Sequence, residues 1–378
     1  MKSGSRTRSV ARWLAGAAGA AALALPACAP VPPARDARSD TPLVFPGPPD
    51  EARFVFERSL YSSADVVPDE KGASFRRLVT GEGESAGEGV AKPYGVAVWR
   101  GRVYVADSAG GTVKVFDVPN GRFQVIGRDD KGVLYTPLGL DIDAAGNLFV
   151  VDSTLKAVKI YDAQGRFLRQ LGGPKLFSRP SGVAVDRGGR RAYVVDTGGV
   201  DRQEEHRVRV FDAVSGEHLL DIGKRGAGDG EFNLPRDAAV APNGNLYVVD
   251  GGNFRVQEFQ PDGKFVRAFG RIGRGPGQFA RPRDIAADGA GNLYVSDAAF
   301  GNFQIFTGDG QLLMFIGARS ERDAPARYML PAGIAVDEDG RVYLADQYFR
   351  KVDVFRPAQL KPGDGHLGQR PGADRAAR

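Results

Sequence analysis

From residue 93 onward the chain alternates short apolar runs with polar turns, and the alternation repeats. Six runs open on proline: "PYGVAV" at Pro93, "PLGLDI" at Pro137, "PSGVAV" at Pro180, "PRDAAV" at Pro235, "PRDIAA" at Pro282 and "PAGIAV" at Pro331. Each is followed by a turn and a second run such as "GNLYVVD", a third run ending in an aromatic such as "RVQEF", and a partly polar fourth such as "FVRAFG". Runs of this length, rich in β-branched and aromatic residues and bounded by Gly, Asn and Asp, read as strands. Asn243-Gly244, Gly291-Asn292 and Asp339-Gly340 supply the positive φ angles of tight hairpins, and Asn120-Gly121, Gln164-Gly165 and Asp262-Gly263 do so between third and fourth strands. Runs such as "LYVVD" are apolar on both faces, as strands packed between neighbouring sheets must be. The pattern predicts an all-β fold, a six-bladed β-propeller of four-stranded antiparallel blades within residues 74–357.

The sixth unit stops after its third strand, "KVDVFRP". The segment "SFRRLVTGEG", Ser74 to Gly83, has the character of a fourth strand, so the ring is predicted to be closed by this N-terminal strand pairing with the last blade. Closure removes the exposed edges of an open array. "EARFVFERSLYSS", within a strap region at 51–73, alternates enough to form an extra strand or a strap on the ring. Residues 28–50 read as a Pro-rich tether and 358–378 as a disordered tail.

Residues 1–27 combine a basic start with an apolar stretch from Trp13 to Leu25, the form of an export signal, and the stretch is too short for a membrane span. "LPAC", ending at Cys28, resembles a bacterial lipobox. That resemblance implies a lipid on Cys28 and an exported chain anchored in the cell envelope, at the outer membrane in a Gram-negative organism; the bland reading is ordinary signal cleavage beside an incidental cysteine. Cys28 is the one cysteine, so the chain forms no internal disulfide. The net charge of +5 changes little, because Lys2, Arg6, Arg8 and Arg12 all fall in the signal, which holds no acidic residue. The remaining 47 basic residues against 46 acidic ones argue against a general attraction to nucleic acid.

The linkers "GKRGAGDGEFNLP" (Gly223 to Pro235) and "GRIGRGPGQFARP" (Gly270 to Pro282), with the six units, resemble NHL repeats across Ser74 to Pro357. The resemblance implies a six-bladed propeller from a family whose members mostly bind proteins or RNA, with an enzymatic minority. Fold alone does not choose among them.

Asp107, Asp152, Asp196, Asp250, Asp297 and Asp346 end the second strand of every blade. A catalytic group is needed once; one repeated six times serves the blade, here by accepting backbone N–H bonds in the turn that follows. Function is expected where the repeat is broken. Blade three carries a six-residue insertion between Asp196 and Phe211, with Glu204, Glu205 and His206 in its loop. The equivalent loops of blades four to six bear Phe254, then Phe300 and Phe303, then Tyr348 and Phe349, either interface anchors or covers for their own blades. In the innermost strands Gly95, Gly139, Gly182 and Gly333 are matched by Asp237 and Asp284, each preceded by an arginine, Arg236 or Arg283. These four charges are expected at the central mouth, either binding a charged ligand or pairing among themselves. Asp141 stands where the other blades have alanine.

Amidating lyases with NHL-like repeats use zinc held by several histidines, whereas His206, His218 and His366 are too dispersed to converge. No cofactor is expected, although a divalent cation such as calcium could use Asp141, Asp237 and Asp284. Arg236, Arg255, Arg271, Arg274, Arg281 and Arg283 gather in blades four and five, but export opposes RNA as the partner. The expected function is that of a monomeric, lipid-anchored scaffold binding an envelope protein or glycan. The alternative is a metal-dependent lyase or hydrolase using acidic residues of the channel.

Overall fold

The computed structural model describes residues 42–68, 87–199 and 204–368, which form a closed ring of six antiparallel sheets. Blade four is typical: Pro235–Val240 lies innermost, followed outward by Leu246–Asp250, Arg255–Phe259 and Phe265–Phe269. The innermost strands of the other blades are Pro93–Trp99, Pro137–Ile142, Pro180–Val185, Pro282–Ala287 and Pro331–Val336. Each packs against the next around the axis, the sixth against the first.

The core explains the doubly apolar second strands. Leu246 and Val248 pack into the cluster shared with blade three, while Tyr247 and Val249 pack into the one shared with blade five. The period of two thus sends alternate side chains into two different interfaces, and no strand face is left for water. Linker phenylalanines complete these clusters: Phe232 stacks on Phe259 at 5.5 Å and Phe279 on Phe306 at 5.6 Å, all fully buried.

Ring closure departs from the expectation. Ser74 to Gly83 lies outside the described residues, and the edge it was predicted to take is occupied by Phe54–Leu60. This strand pairs antiparallel with Lys351–Pro357, with Phe56 opposite Phe355 and Leu60 opposite Val352. Val44–Phe45 adds a fifth strand outside it. The physical reason lies in what the edge needs. Phe54 and Leu60 complete the cores on either side of blade six, and Glu57 meets the fully buried guanidinium of Arg341 at 2.8 Å. Ser59 donates a 2.6 Å bond to the buried Asp353. Among the described residues no helix is long and apolar enough to cross a membrane.

The ring's narrow end dictates glycine. A Cβ on Gly139 would stand 2.7 Å from the Gly182 Cα, and one on Gly333 would stand 2.5 Å from the Tyr94 carbonyl oxygen. Four blades therefore have no side chain there, which leaves room on the channel for the two that do.

Candidate functional site

The end of the ring where the innermost strands begin carries the interblade linkers and the loops between second and third strands. We call it the linker face. The six strand-end aspartates form its frame. Asp152 accepts from the amides of Tyr135 and Thr136 in the linker and of Thr154 and Leu155 in the turn, at 2.6 to 3.1 Å. Asp297 and Asp346 each hold four amides in the same way, and Asp107 holds three. Each carboxylate therefore ties the linker entering its blade to the turn leaving the second strand, more than the turn alone. Asp250 combines the Asn233 amide with the side chains of Asn253, Arg255 and Gln257. In blade three, where the insertion follows, Asp196 holds the Ser178 and Arg179 amides, and burial raises its pKa.

The described residues of the insertion, Glu204, Glu205 and His206, do not form a free polar cluster. His206 is buried, its Nδ1 accepting from the Leu234 amide at 3.2 Å, and burial pulls its pKa below the usual value. A neutral imidazole thus props the linker into blade four. Glu204 pairs with Arg225 at 2.9 Å, and Glu205 with Arg207 at 3.1 Å. His218 lies instead beside Asp221 at the outer strand, and His366 beside Asp339 near the C-terminal turn.

Nor do the loop aromatics cluster as exposed anchors. Phe303 is wholly in the core between blades five and six, because the position starts a third strand rather than a loop. Phe254 packs partly into the cluster of blades four and five, Phe300 is half-buried, and Phe349 sits beneath the Lys351 ammonium at 5.8 Å. Tyr348 remains 61% exposed.

The central mouth differs. Its rim is set by the residue after each opening proline: Tyr94, Leu138, Ser181, Arg236, Arg283 and Ala332. Arg236 lies flat across Gly251, where a Cβ would stand 2.8 Å from its Cγ. Arg283 reaches past the small Ala332 of blade six to the Tyr94 ring of blade one, its guanidinium carbon 5.4 Å from the ring centroid. Arg179 and Arg281, which precede their blades' opening prolines, stand close enough to act on Arg236. Burial first, and then repulsion from Arg283, Arg179 and Arg281, pulls the Arg236 pKa down. Among the described residues none of these four arginines makes an ion pair or donates a side-chain hydrogen bond.

Below the rim the channel encloses about 110 Å³, walled by valine, alanine, leucine and isoleucine and by three carboxyl groups. Asp141 accepts from its neighbour Ile142 and, across the blade boundary, from Val185, both at 2.8 Å; burial nevertheless raises its pKa to about 7. Asp237 and Asp284 hydrogen-bond to each other, and burial raises both pKa values, that of Asp237 further because Asp284 adds repulsion. The pair therefore shares a proton. The Ile334 and Ile285 amides offset part of the rise at Asp284, while Asp237 Oδ1 is buried against Gly182 without a partner. The carboxylates thus pair with each other and with amides, and the arginines beside them in sequence point to the rim instead.

Among the described residues no group of three or more His, Cys, Asp or Glu side chains is placed to hold a metal ion. The dispersed histidines, each beside a different partner, do not fit a zinc centre. A larger cleft of about 860 Å³ lies between the N-terminal strap and blades five and six. Of its charged lining, Asp288 and Asp339 are held by Tyr294 and by Arg341, while Asp50, Glu51 and Arg53 are exposed to solvent.

Residues 232–259, from the blade-four linker to its third strand, match the family model of the NHL repeat. The ring of six four-stranded blades is a β-propeller that carries an NHL repeat in its fourth blade. A stretch of 171 residues is 30% identical to the peptidyl-glycine alpha-amidating monooxygenase of Mus musculus, covering 41% of this chain and 17% of that protein. Another, of 115 residues, is 29% identical to the probable peptidyl-alpha-hydroxyglycine alpha-amidating lyase of Caenorhabditis elegans, covering 29% and 31%. The matched stretches thus span less than a third of these relatives' lengths. A gluconolactonase from Xanthomonas campestris superposes over 71% of this chain and 86% of its own with a TM-score of 0.54 at 17% identity. A Bacteroides thetaiotaomicron protein of unknown function does so over 79% and 75%, with a TM-score of 0.59 at 16% identity. These structures share the fold.

Proposed function

We propose that the chain is a monomeric binding module of the bacterial cell envelope, held at the membrane by a lipid on Cys28 and offering its linker face to an envelope protein or glycan. The observation that carries this reading is the mouth: four arginines converge on it with no acidic partner among the described residues, while charged groups of the neighbouring loops are internally paired. Unpaired charge at a rigid, concave centre is recognition surface that folding has not used. Cys28→Ser should release the protein from membranes into the soluble envelope fraction. Cross-linking in intact envelopes should capture a partner with the wild type and lose it in an Arg236→Gln, Tyr348→Ala variant. Retention of that partner would place the contact elsewhere.

The second reading is a lyase or hydrolase, favoured by the match to an amidating lyase and by the proton-sharing carboxyl pair. A divalent cation such as calcium belongs to this reading. Stoichiometric metal in the purified protein, lost in Asp141→Ala or Asp284→Ala, would select it over the first.

A further inference from the structure

We propose that the central mouth is a subsite for a small-molecule oxyanion, a carboxylate or phosphate group that docks on Arg236 and Arg283 within a collar completed by Arg179, Arg281 and Tyr94. This rests on the binding-module reading and names the chemistry its centre would recognise.

The geometry carries it in three steps. First, Arg236 and Arg283 approach the axis from blades four and five on strands whose entering linkers are tied by the aspartate frame, at Asn233 through Asp250 and at Ala280 and Arg281 through Asp297. The strands that carry them are therefore in place before a ligand arrives, which lowers the ordering cost of binding. Second, each guanidinium is braced on its apolar or aromatic side, by Gly251 for Arg236 and by the Tyr94 ring for Arg283, and among the described residues no carboxylate pairs with it. The planar donor fork suits a carboxylate or phosphate held by two N–H bonds. Third, the depth is limited from below. Asp237, Asp284 and Asp141 line a channel of about 110 Å³ whose other walls are apolar, so an anion held at the rim meets only apolar side chains and carboxyl groups further in. The ligand's charged group stays at the mouth, and the rest of it extends outward over the linker face.

The test uses the full chain without its signal and two soluble probes, inorganic phosphate and citrate, titrated calorimetrically. Phosphatidylglycerol vesicles form a separate arm. Saturable binding of at least one soluble probe at one site, weakened about tenfold or more in both Arg236→Gln and Arg283→Gln, supports the proposal. Because Arg236 also packs on Gly251, each variant is compared with wild type by thermal unfolding. Should Arg236→Gln not fold, the Arg283→Gln result and the loss of wild-type affinity with rising salt decide in its place. Arg58→Gln, at the closing strand, should bind as wild type does. Equal affinity in wild type and the mouth variants, absence of binding to both soluble probes, or binding to vesicles alone would overturn the proposal. None of these outcomes touches the binding-module reading, whose test is the partner captured in the envelope.

Discussion

Replacing Glu57 with alanine tests how the ring is closed. Arg341 is fully buried; its Nε donates to Glu57 Oε2 at 2.8 Å, its Nη1 to Asp339 at 3.1 Å and its Nη2 to the Asp364 carbonyl at 2.7 Å. Glu57 comes from the N-terminal strand, nearly three hundred residues away in sequence, so the pair couples the two chain ends. Breaking a buried ion pair costs about 3–5 kcal/mol because it strands a charge. Asp339 and the Asp364 carbonyl remain as partners, so the cost falls at or just below the bottom of that range, about 2–3 kcal/mol. At about 2 °C per kcal/mol for a domain this large, Tm should fall by about 5 °C, read by differential scanning calorimetry. Glu57→Gln keeps the volume and one acceptor and should lose less. Arg58→Ala, 3.9 Å from the same carboxylate with a side chain 39% exposed, should change Tm hardly at all. Equal Tm values for Glu57→Ala and Arg58→Ala would refute the reasoning, since closure through Phe54–Leu60 would then contribute nothing at Arg341.

Gly182→Ala should destabilise by about 1–3 kcal/mol in denaturant unfolding, because its Cβ would fall 2.0 Å from Asp237 Oδ1 and 2.8 Å from the Asp237 Cα. The channel acids should make stability pH-dependent. Their folded pKa values lie above the unfolded ones near 4, so their contribution is complete below pH 4 and is lost as pH rises toward about 7, the folded value of Asp141. Tm should accordingly carry a component that declines from pH 5 to 8. Asp237→Asn, whose amide can donate to Asp284, should flatten it, and an unchanged slope would show that the pair is not its source. His206 should titrate below the usual histidine pKa in an NMR pH series, as expected for an imidazole that burial keeps neutral.

The repeat unit, the strand count and the structural role of an aspartate present six times are all local or periodic, and periodicity survives in one dimension. So did the positions where the repeat breaks: Arg236, Asp237, Arg283, Asp284 and Asp141 all reach the mouth or channel. What each break does was not legible. Phe303 reads as a loop aromatic until strand pairing with Ser296 places it in the core, and His206 reads as a loop ligand until the Leu234 amide claims its Nδ1. Arg179 and Tyr94 went unnoticed in sequence, and Arg281 was read only as one of a group of arginines in blades four and five, although their place beside the opening prolines was a usable signal. Closure escaped for a different reason. Two N-terminal segments had strand character, and the choice between them depends on a buried arginine in blade six that needs a carboxylate and on two half-built cores that need Phe54 and Leu60. The sequence by itself determined the blades, because each is built from neighbours along the chain. Only the tertiary structure decided which arginines stay unpaired and which strand shuts the ring, because those outcomes depend on groups brought together from opposite ends of the chain and different sides of the axis.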